Sequence, residues 1–360
     1  MTSSVGKSTT GLKRLCLWFG GWLGIVAIEL IVAFVMLEIA ARAFDPFGVS
    51  YYPETAAYLD TMIREQPIGY RNRPDLSGNF WGVDVAINSF GMRDRETTEQ
   101  PAANEFRVLI MGDSFPFGIG QPVEHSIPRQ LEDQLNRYYR GRPFFRTLNM
   151  SVISYNTEQE LIQFKSVGIK LQPQLVILFY SINDIEAKNW VLEKRRKLAE
   201  VLQRSYAASL LLVLYQDARI RLSGRDNRVH LDAYQDVRPG SRWAVIENSI
   251  TGMFQTCKAA GIPFVIFTRF EDTRFEDRKI LRQRFDAMKT RLGIPVVDLD
   301  GKSDPRWKNA TPASLRNSRV DSHPTKLGAQ VYATLGFEAL QRLKILPLNN
   351  SDAASLSKVD

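Results

Sequence analysis

Apolar positions along this chain fall into three regimes. Over residues 15–37 they run almost unbroken, LCLWFGGWLGIVAIELIVAFVML. A helix needs about 20 such residues to cross a bilayer. Over residues 45–104 the run dissolves into Pro, Gly, Asn and Tyr with short alternations such as VDVAI, a pattern of loops and short strands. From Phe106 a third rhythm begins. FRVLIMG, RTLNMS, QLVILFYS, IPFVIFTR and IPVVDLD are compact apolar runs that read as buried strands. Between and after them, helical spacing predicts helices over residues 127–139, 157–168, 243–260, 275–292 and 326–343. Continuous apolar strands alternating with helices predict an α/β fold, a parallel sheet covered on both faces. Sites in such sheets lie at the C-terminal ends of the strands.

The flanking charges orient the first segment. Lys7, Lys13 and Arg14 precede it, whereas Arg42 follows in the company of Glu38 and Asp45. The positive-inside bias leaves the N-terminus in the cytoplasm and sends the rest outward, a single-pass inner-membrane protein with a periplasmic or extracellular domain. The rival is a cleaved signal peptide, for which Ala41-Arg42-Ala43 offers a small-residue site. The apolar run outlasts the roughly 7–15 residues of a signal core, and that favours an uncleaved anchor. A second helical pattern falls in residues 186–240, an insertion between the third and fourth strands. Its apolar part, residues 207–215, is too short to span a bilayer, leaving a lid, an interfacial helix or an ordinary packed helix pair.

The 360 residues are 44% apolar, enough for a real core, and carry 47 basic against 39 acidic side chains, a net charge of +8. That mild excess suits an anionic membrane or glycan. No basic run interleaved with aromatics suggests a nucleic-acid groove. Cys16 lies in the apolar segment and Cys257 far from it, so no internal disulfide is expected, and no Cys/His cluster has zinc spacing.

Candidate chemistry collects at the predicted strand ends. Ser114 follows the first strand in GDSF, Asn149 and Ser151 end the second, and Asn183 and Asp184 follow the third. Asp321 and His323 precede the last helix in VDSHPTKLG. A serine hydroxyl attacks only when a base takes its proton, and histidine is the usual base. Of three histidines, His125 precedes a helix and His230 lies in the insertion, whereas His323 sits two residues from Asp321 and before Pro324. Pro324 biases His323 toward an extended backbone, so Asp321 could orient the ring toward Ser114. Taken alone, Asp321 reads equally as a helix cap beside a surface histidine, and Asn183 as an N-cap. Donors for an oxyanion could come from the N–H groups of Ser114 and Ser151 and the Asn183 amide. A G-x-S-x-G elbow is excluded by Pro116, and no Lys follows the glycines as a phosphate-binding loop requires.

Taken together, GDSF, LNMSVISYN, SINDI and DSHP resemble the ordered blocks of the SGNH (GDSL-type) hydrolases over residues 106–345, with an upstream INSFGMRD similar to bacterial membrane-linked members. The resemblance implies a three-layer α/β/α, flavodoxin-like fold and serine esterase, lipase or acyltransferase chemistry without metal or cofactor. It implies Ser114 as nucleophile, His323 as base, Asp321 as orienting acid, and Ser114, Ser151 and Asn183 around the oxyanion. Three positions depart from the pattern. Ser151 and Ser181 stand where glycines are usual, and one residue rather than two separates Asp321 from His323.

The expected organisation is a cytoplasmic tail (1–14), an anchor (15–37), a linker and short strands packing on the main fold (38–105), the hydrolase domain (106–345) with its insertion (186–240), and a tail (346–360). The expected function is a serine esterase acting through an acyl-enzyme on an ester-bearing envelope glycan or lipid. Transfer to a sugar hydroxyl alongside envelope polysaccharide machinery, or a non-catalytic binding module, are the alternatives.

Overall fold

A computed structural model describes residues 8–186, 202–223, 235–269, 276–300, 304–307 and 309–348. His230, residues 187–201 and 224–234 of the insertion, and the end of the expected tail lie outside the described residues.

The apolar N-terminal run belongs to one long helix, α1 (Ser8–Phe44). Its stretch Gly20–Phe44 is long and apolar enough to cross a membrane, and its most apolar 18-residue window has no residue buried inside the protein. The helix thus outruns the expected 15–37 segment, because Glu38-Ile-Ala-Ala-Arg-Ala-Phe continues in good helix formers. After a turn come α2 (Tyr51–Asp60), the hairpin β1 (Ile63–Glu65) and β2 (Gly69–Arg71), and the hairpin β3 (Ser77–Phe80) and β4 (Val83–Ala86). The sequence pattern gives no sign of α2. Pro53 lies in its first turn, where a missing N–H costs nothing, so the residue that suggested a loop is compatible with a helix.

The main fold follows as β5 (Glu105–Gly112), α3 (Ser114–Phe117), α4 (Ile127–Tyr139), β6 (Phe144–Asn149), α5 (Thr157–Ser166), β7 (Leu175–Phe179), α6 (Tyr206–Ser223), α7 (Arg242–Ala259), β8 (Phe264–Thr268), α8 (Glu276–Leu292), β9 (Val296–Asp298), α9 (Pro312–Leu315) and α10 (Lys326–Arg342). Strands β5 to β9 form a parallel sheet in the order β6-β5-β7-β8-β9. This is the flavodoxin-like order, whose reversal point lies between the first and third strands, here β5 and β7.

Both faces of the sheet are dry. On β5, Val108 and Ile110 face one cluster with Leu131 and Leu135 of α4 and Ala329, Ala333 and Leu340 of α10. Leu109 and Met111 face the other, with Phe164 of α5, Ile250 and Met253 of α7, and Phe285 of α8. Side chains two apart share a face, which is why the strands read as unbroken apolar runs when both faces are covered. A third cluster joins Tyr58, Tyr70, Val85 and Ile87 to Phe117, Ile119, Val152 and Tyr155. Residues 51–87 therefore pack as a wall over the ends of β5 and β6.

Candidate active site

Ser114 opens the single turn α3 directly after β5. Gly112 makes that corner possible. A Cβ there would lie 2.6 Å from Pro116 Cγ and 3.0 Å from the Phe179 carbonyl oxygen of the neighbouring strand. Asp113 caps the turn, its Oδ1 accepting from the Phe115 N–H at 2.9 Å. The same carboxylate reaches across to β7. Ser181 Oγ donates to Oδ1 at 3.0 Å, and Asn183 Nδ2 donates to Oδ2 at 3.1 Å. Asn183 lies inside a short 3-10 turn, Ile182–Ile185, rather than at a helix cap. Its amide nitrogen carries two hydrogens, so the bond to Asp113 leaves one for another acceptor.

The histidine arrives on a narrow loop between α9 and α10. Arg316 bridges Pro324, the Asn317 N–H donates to the His323 carbonyl at 2.9 Å, and the Ser318 N–H to the Asp321 carbonyl at 3.1 Å. Within this loop Asp321 Oδ1 accepts from the His323 N–H at 2.9 Å and lies 2.6 Å from His323 Nδ1. A carboxylate only accepts, so Nδ1 carries the hydrogen and Nε2 presents its lone pair. Nε2 lies 2.7 Å from Ser114 Oγ. Asp321 and His323 are buried, at 5% and 8% exposure, which keeps water from competing for these contacts. Serine, histidine and aspartate, spread over two hundred residues, thus form one hydrogen-bonded chain.

Ser151 takes a different posture from the one expected. Its N–H donates to Asn149 Oδ1 at 3.3 Å, and its buried Oγ has no hydrogen-bond partner among the described residues. Asn149 itself is a tie. Its Nδ2 donates to the Pro116 carbonyl at 3.1 Å and its N–H to Asp94 Oδ2 at 3.1 Å, joining the end of β6 to the turn after Ser114.

Several supporting residues carry no sequence signal of their own. Asn317 Nδ2 donates to Asp321 Oδ2 at 3.0 Å and to the Ile119 carbonyl at 2.8 Å, while its Oδ1 accepts from Gln121 at 2.7 Å. Arg93, fully buried, donates to the carbonyls of Phe117 at 3.1 Å and Gln121 at 2.6 Å, fixing the loop behind Ser114. Burial lowers its guanidinium to about 10, still a cation at neutral pH. Tyr51 of α2 sets its ring 5.7 Å from the His323 ring, and burial together with the Asp321 charge holds its phenol protonated. Arg269 at the end of β8 lays its guanidinium 3.5 Å over the ring of Phe115, the residue after Ser114. A polar cavity of about 270 Å³ lies between Ser50, Tyr51 and Trp81 on one side and Asn317 and Asp321 on the other. It adjoins the acid rather than Ser114 Oγ, so it is not the space into which an acyl carbonyl would enter.

Other reactive groups are out of play. Cys257 is fully buried, and burial pushes its thiol up to about 12. His125 sits in a 3-10 turn before α4, where burial and Lys326 lower its pKa. Among the described residues no cluster could hold a metal ion.

Beneath Asn183 lies a pair of fully buried carboxyls, Glu160 and Asp184. Asp184 Oδ2 accepts from Thr157 Oγ1 at 3.1 Å, but Asp184 Oδ1 and both Glu160 oxygens have no partner among the described residues. Burial raises both pKa values well above the ordinary 4.5 and 3.8, and the charges of Glu160 and Asp113 raise Asp184 further. The folded chain therefore keeps protons that the unfolded chain releases. The associated stability is complete below the ordinary carboxyl values and is lost as pH rises toward the folded ones. Glu160→Gln is expected to raise Tm, by roughly 2–4 °C per kcal/mol relieved, and by more at pH 8 than at pH 5. An equal shift at both pH values would contradict an ionisation origin.

The solved structures that the chain is similar to are remote in sequence. An esterase, EstA, from Pseudoalteromonas sp. is 12% identical, with a TM-score of 0.40, 66% of this chain and 97% of that one covered. An acetylxylan esterase from Geobacillus stearothermophilus is 14% identical (TM-score 0.41, 65% and 94% covered). An alpha/beta hydrolase enzyme from the metagenome of Lake Arreo, Spain, is 18% identical (TM-score 0.41, 65% and 94% covered). Among curated proteins none matches the chain. The decisive likeness is at the level of the family, whose sequence model matches residues 110–331 and so takes in Ser114, Asn183, Asp321 and His323. With that match across most of the sheet, the chain belongs to the GDSL-like lipase/acylhydrolase family and is a serine hydrolase of the SGNH type.

Proposed function

We propose that the protein is a membrane-anchored serine esterase that removes an ester-linked acyl group from a cell-envelope glycan or lipid through an acyl-enzyme. The observation that carries this reading is the unbroken contact chain from Asp321 Oδ1 to His323 to Ser114 Oγ, at 2.6 and 2.7 Å. In the first half-reaction His323 Nε2 takes the Ser114 proton as Oγ bonds to the ester carbonyl carbon. Asp321 holds the ring and balances the imidazolium. The oxyanion is met by the Ser114 N–H, which opens a helical turn and so lacks an intrahelical acceptor, and by the second Asn183 amide hydrogen. The Ser151 N–H, turned toward Asn149, contributes less than the glycine N–H it replaces. The tetrahedral species then collapses, His323 returns the proton to the leaving alkoxide, and the alcohol departs. Water, deprotonated by the same Nε2, releases the acyl group and restores Ser114. The envelope location rests on the long apolar helix α1 and its flanking charges.

A fluorophosphonate probe applied to the full chain is expected to label the peptide that contains Ser114, because phosphonylation needs the same activated Oγ. Folded protein that takes up no label would count against a competent nucleophile.

A further inference from the structure

The insertion helix α6 is moored to α1. Near the outer end of α1, Glu38 accepts from Ser205 Oγ at 2.7 Å, from the Tyr206 N–H at 3.3 Å and from the Ala207 N–H at 2.8 Å. Those donors are the first turn of α6, so a side chain of the apolar helix caps the insertion helix. Arg42 pairs with Glu38 and lies over the Tyr206 ring, 4.6 Å from its centroid. Below this cap, Leu37 and Ala41 of α1 pack with Leu210 and Val213 of α6.

The position of the cap fixes a depth. Glu38 precedes Phe44, the end of the apolar stretch, by six residues, about 9 Å along a helix axis. Interfacial helices bury their apolar faces roughly 5–10 Å into the headgroup boundary. On the side of α6 turned away from the protein, Leu211, Leu214, Tyr215 and Leu222 are 49, 46, 63 and 89% exposed. Their spacing places them along one outward stripe, continuous with the exposed apolar surface of α1. Such a stripe is costly in water and needs no further partner at a bilayer surface.

The catalytic loop hangs from the same assembly. Asp217 of α6 pairs with Arg319, and Arg319 in turn lies 4.9 Å over the ring of Phe47, just past α1. Gly48, at φ +76°, presses against Ser318, and a Cβ there would lie 2.2 Å from Ser318 Oγ, the acceptor of the Asp321 N–H. Tyr51, which meets the His323 ring, comes only seven residues after Phe44. Even fully extended, seven residues reach no more than about 25 Å.

We propose that α6 lies in the membrane–water interface beside α1 and holds the mouth of the Ser114–His323–Asp321 site at the bilayer surface, so that its ester substrate is the acyl ester of a membrane lipid. This rests on the esterase reading and on α1 as an anchor.

The test uses the full chain in vesicles of phosphatidylethanolamine and phosphatidylglycerol, with Cys16→Ser and Cys257→Ser as background. An environment-sensitive fluorophore is placed singly at Leu214→Cys, Leu222→Cys and, as control, Asp133→Cys on α4. The stripe positions are expected to emit at shorter wavelength and to be quenched by brominated acyl chains, and the control to be quenched by aqueous iodide. Iodide quenching of the stripe equal to that of the control would overturn the interfacial placement. In parallel, the variant Leu211→Ser/Leu214→Ser/Tyr215→Ser is expected to lose at least tenfold in turnover of a phospholipid acyl ester in the vesicles. Its turnover of a water-soluble aryl acetate is expected to stay within twofold. A wild-type protein that cleaves the aryl acetate but not the vesicle ester overturns the lipid substrate and leaves the esterase standing. One that cleaves neither overturns the esterase reading itself.

Discussion

Ser114→Ala is expected to lower kcat for an aryl acetate by about 10⁴–10⁶-fold while the protein stays folded. Among the described residues, the oxygen removed is the one atom that His323 Nε2 meets within hydrogen-bond reach, at 2.7 Å. Without it the imidazole has no nucleophile to deprotonate except water, and the remaining acceleration comes from oxyanion donors and binding alone. The fold should not notice, because α3 keeps its Asp113 cap and Phe115 its place in the core. The measurement is steady-state hydrolysis with a circular dichroism spectrum as control. A variant that keeps a tenth of the activity would remove Ser114 from the chemistry.

The second large effect belongs to the acid. Asp321→Asn is expected to cost about 10³–10⁴ in kcat, with KM little changed. Asp321 accepts on both oxygens, from His323 through Oδ1 and from Asn317 Nδ2 through Oδ2 at 3.0 Å. An amide of the same shape has one accepting end. If that end faces Asn317, its NH₂ group faces the histidine, Nδ1 must accept, and the hydrogen moves to Nε2, where it blocks proton removal from Ser114. If it faces the histidine, two amide NH₂ groups confront each other and the loop is displaced. Either outcome slows phosphonylation of Ser114 in the same proportion as turnover. A variant whose turnover and labelling both stay within tenfold of wild type would show that ring orientation does not depend on this carboxylate.

Much of this site was legible before any coordinates. The sheet and its flanking helices followed from apolar periodicity, because strands covered on both faces leave continuous runs such as QLVILFYS. Ser114 and Asn183 followed from where those runs end, Asp321 and His323 from their spacing before Pro324 and the last helix, and the order of the four blocks tied them together. What stayed hidden has a common physical origin. Asn317, through Ile119 and Gln121, and Arg93 and Tyr51 act through contacts made across long stretches of chain, and nothing periodic marks the residue that will meet a distant partner. Whether the Ser151 N–H finds an acceptor in Asn149 depends on that side chain's rotamer, which no pattern of apolar and polar positions encodes. In residues 38–105 the Pro and Gly interruptions indicate short strands that pack on the main fold, but not which aromatic rings meet the loop after Ser114, as Tyr58 meets Phe117.

The close fit of Gly48 against Ser318 also decides where this enzyme can be cut. Hydropathy alone would place a soluble version just after Phe44, and a cautious trim might begin at the first helix beyond it. Removing residues up to Pro53 would strip away Gly48, Ser50 and Tyr51, opening the cavity beside Asp321 to solvent and unseating the loop that carries the acid and the base. The segment just past the long apolar helix is thus part of the scaffold that holds the Asp321–His323 loop, and a protease that frays it reaches the site from behind.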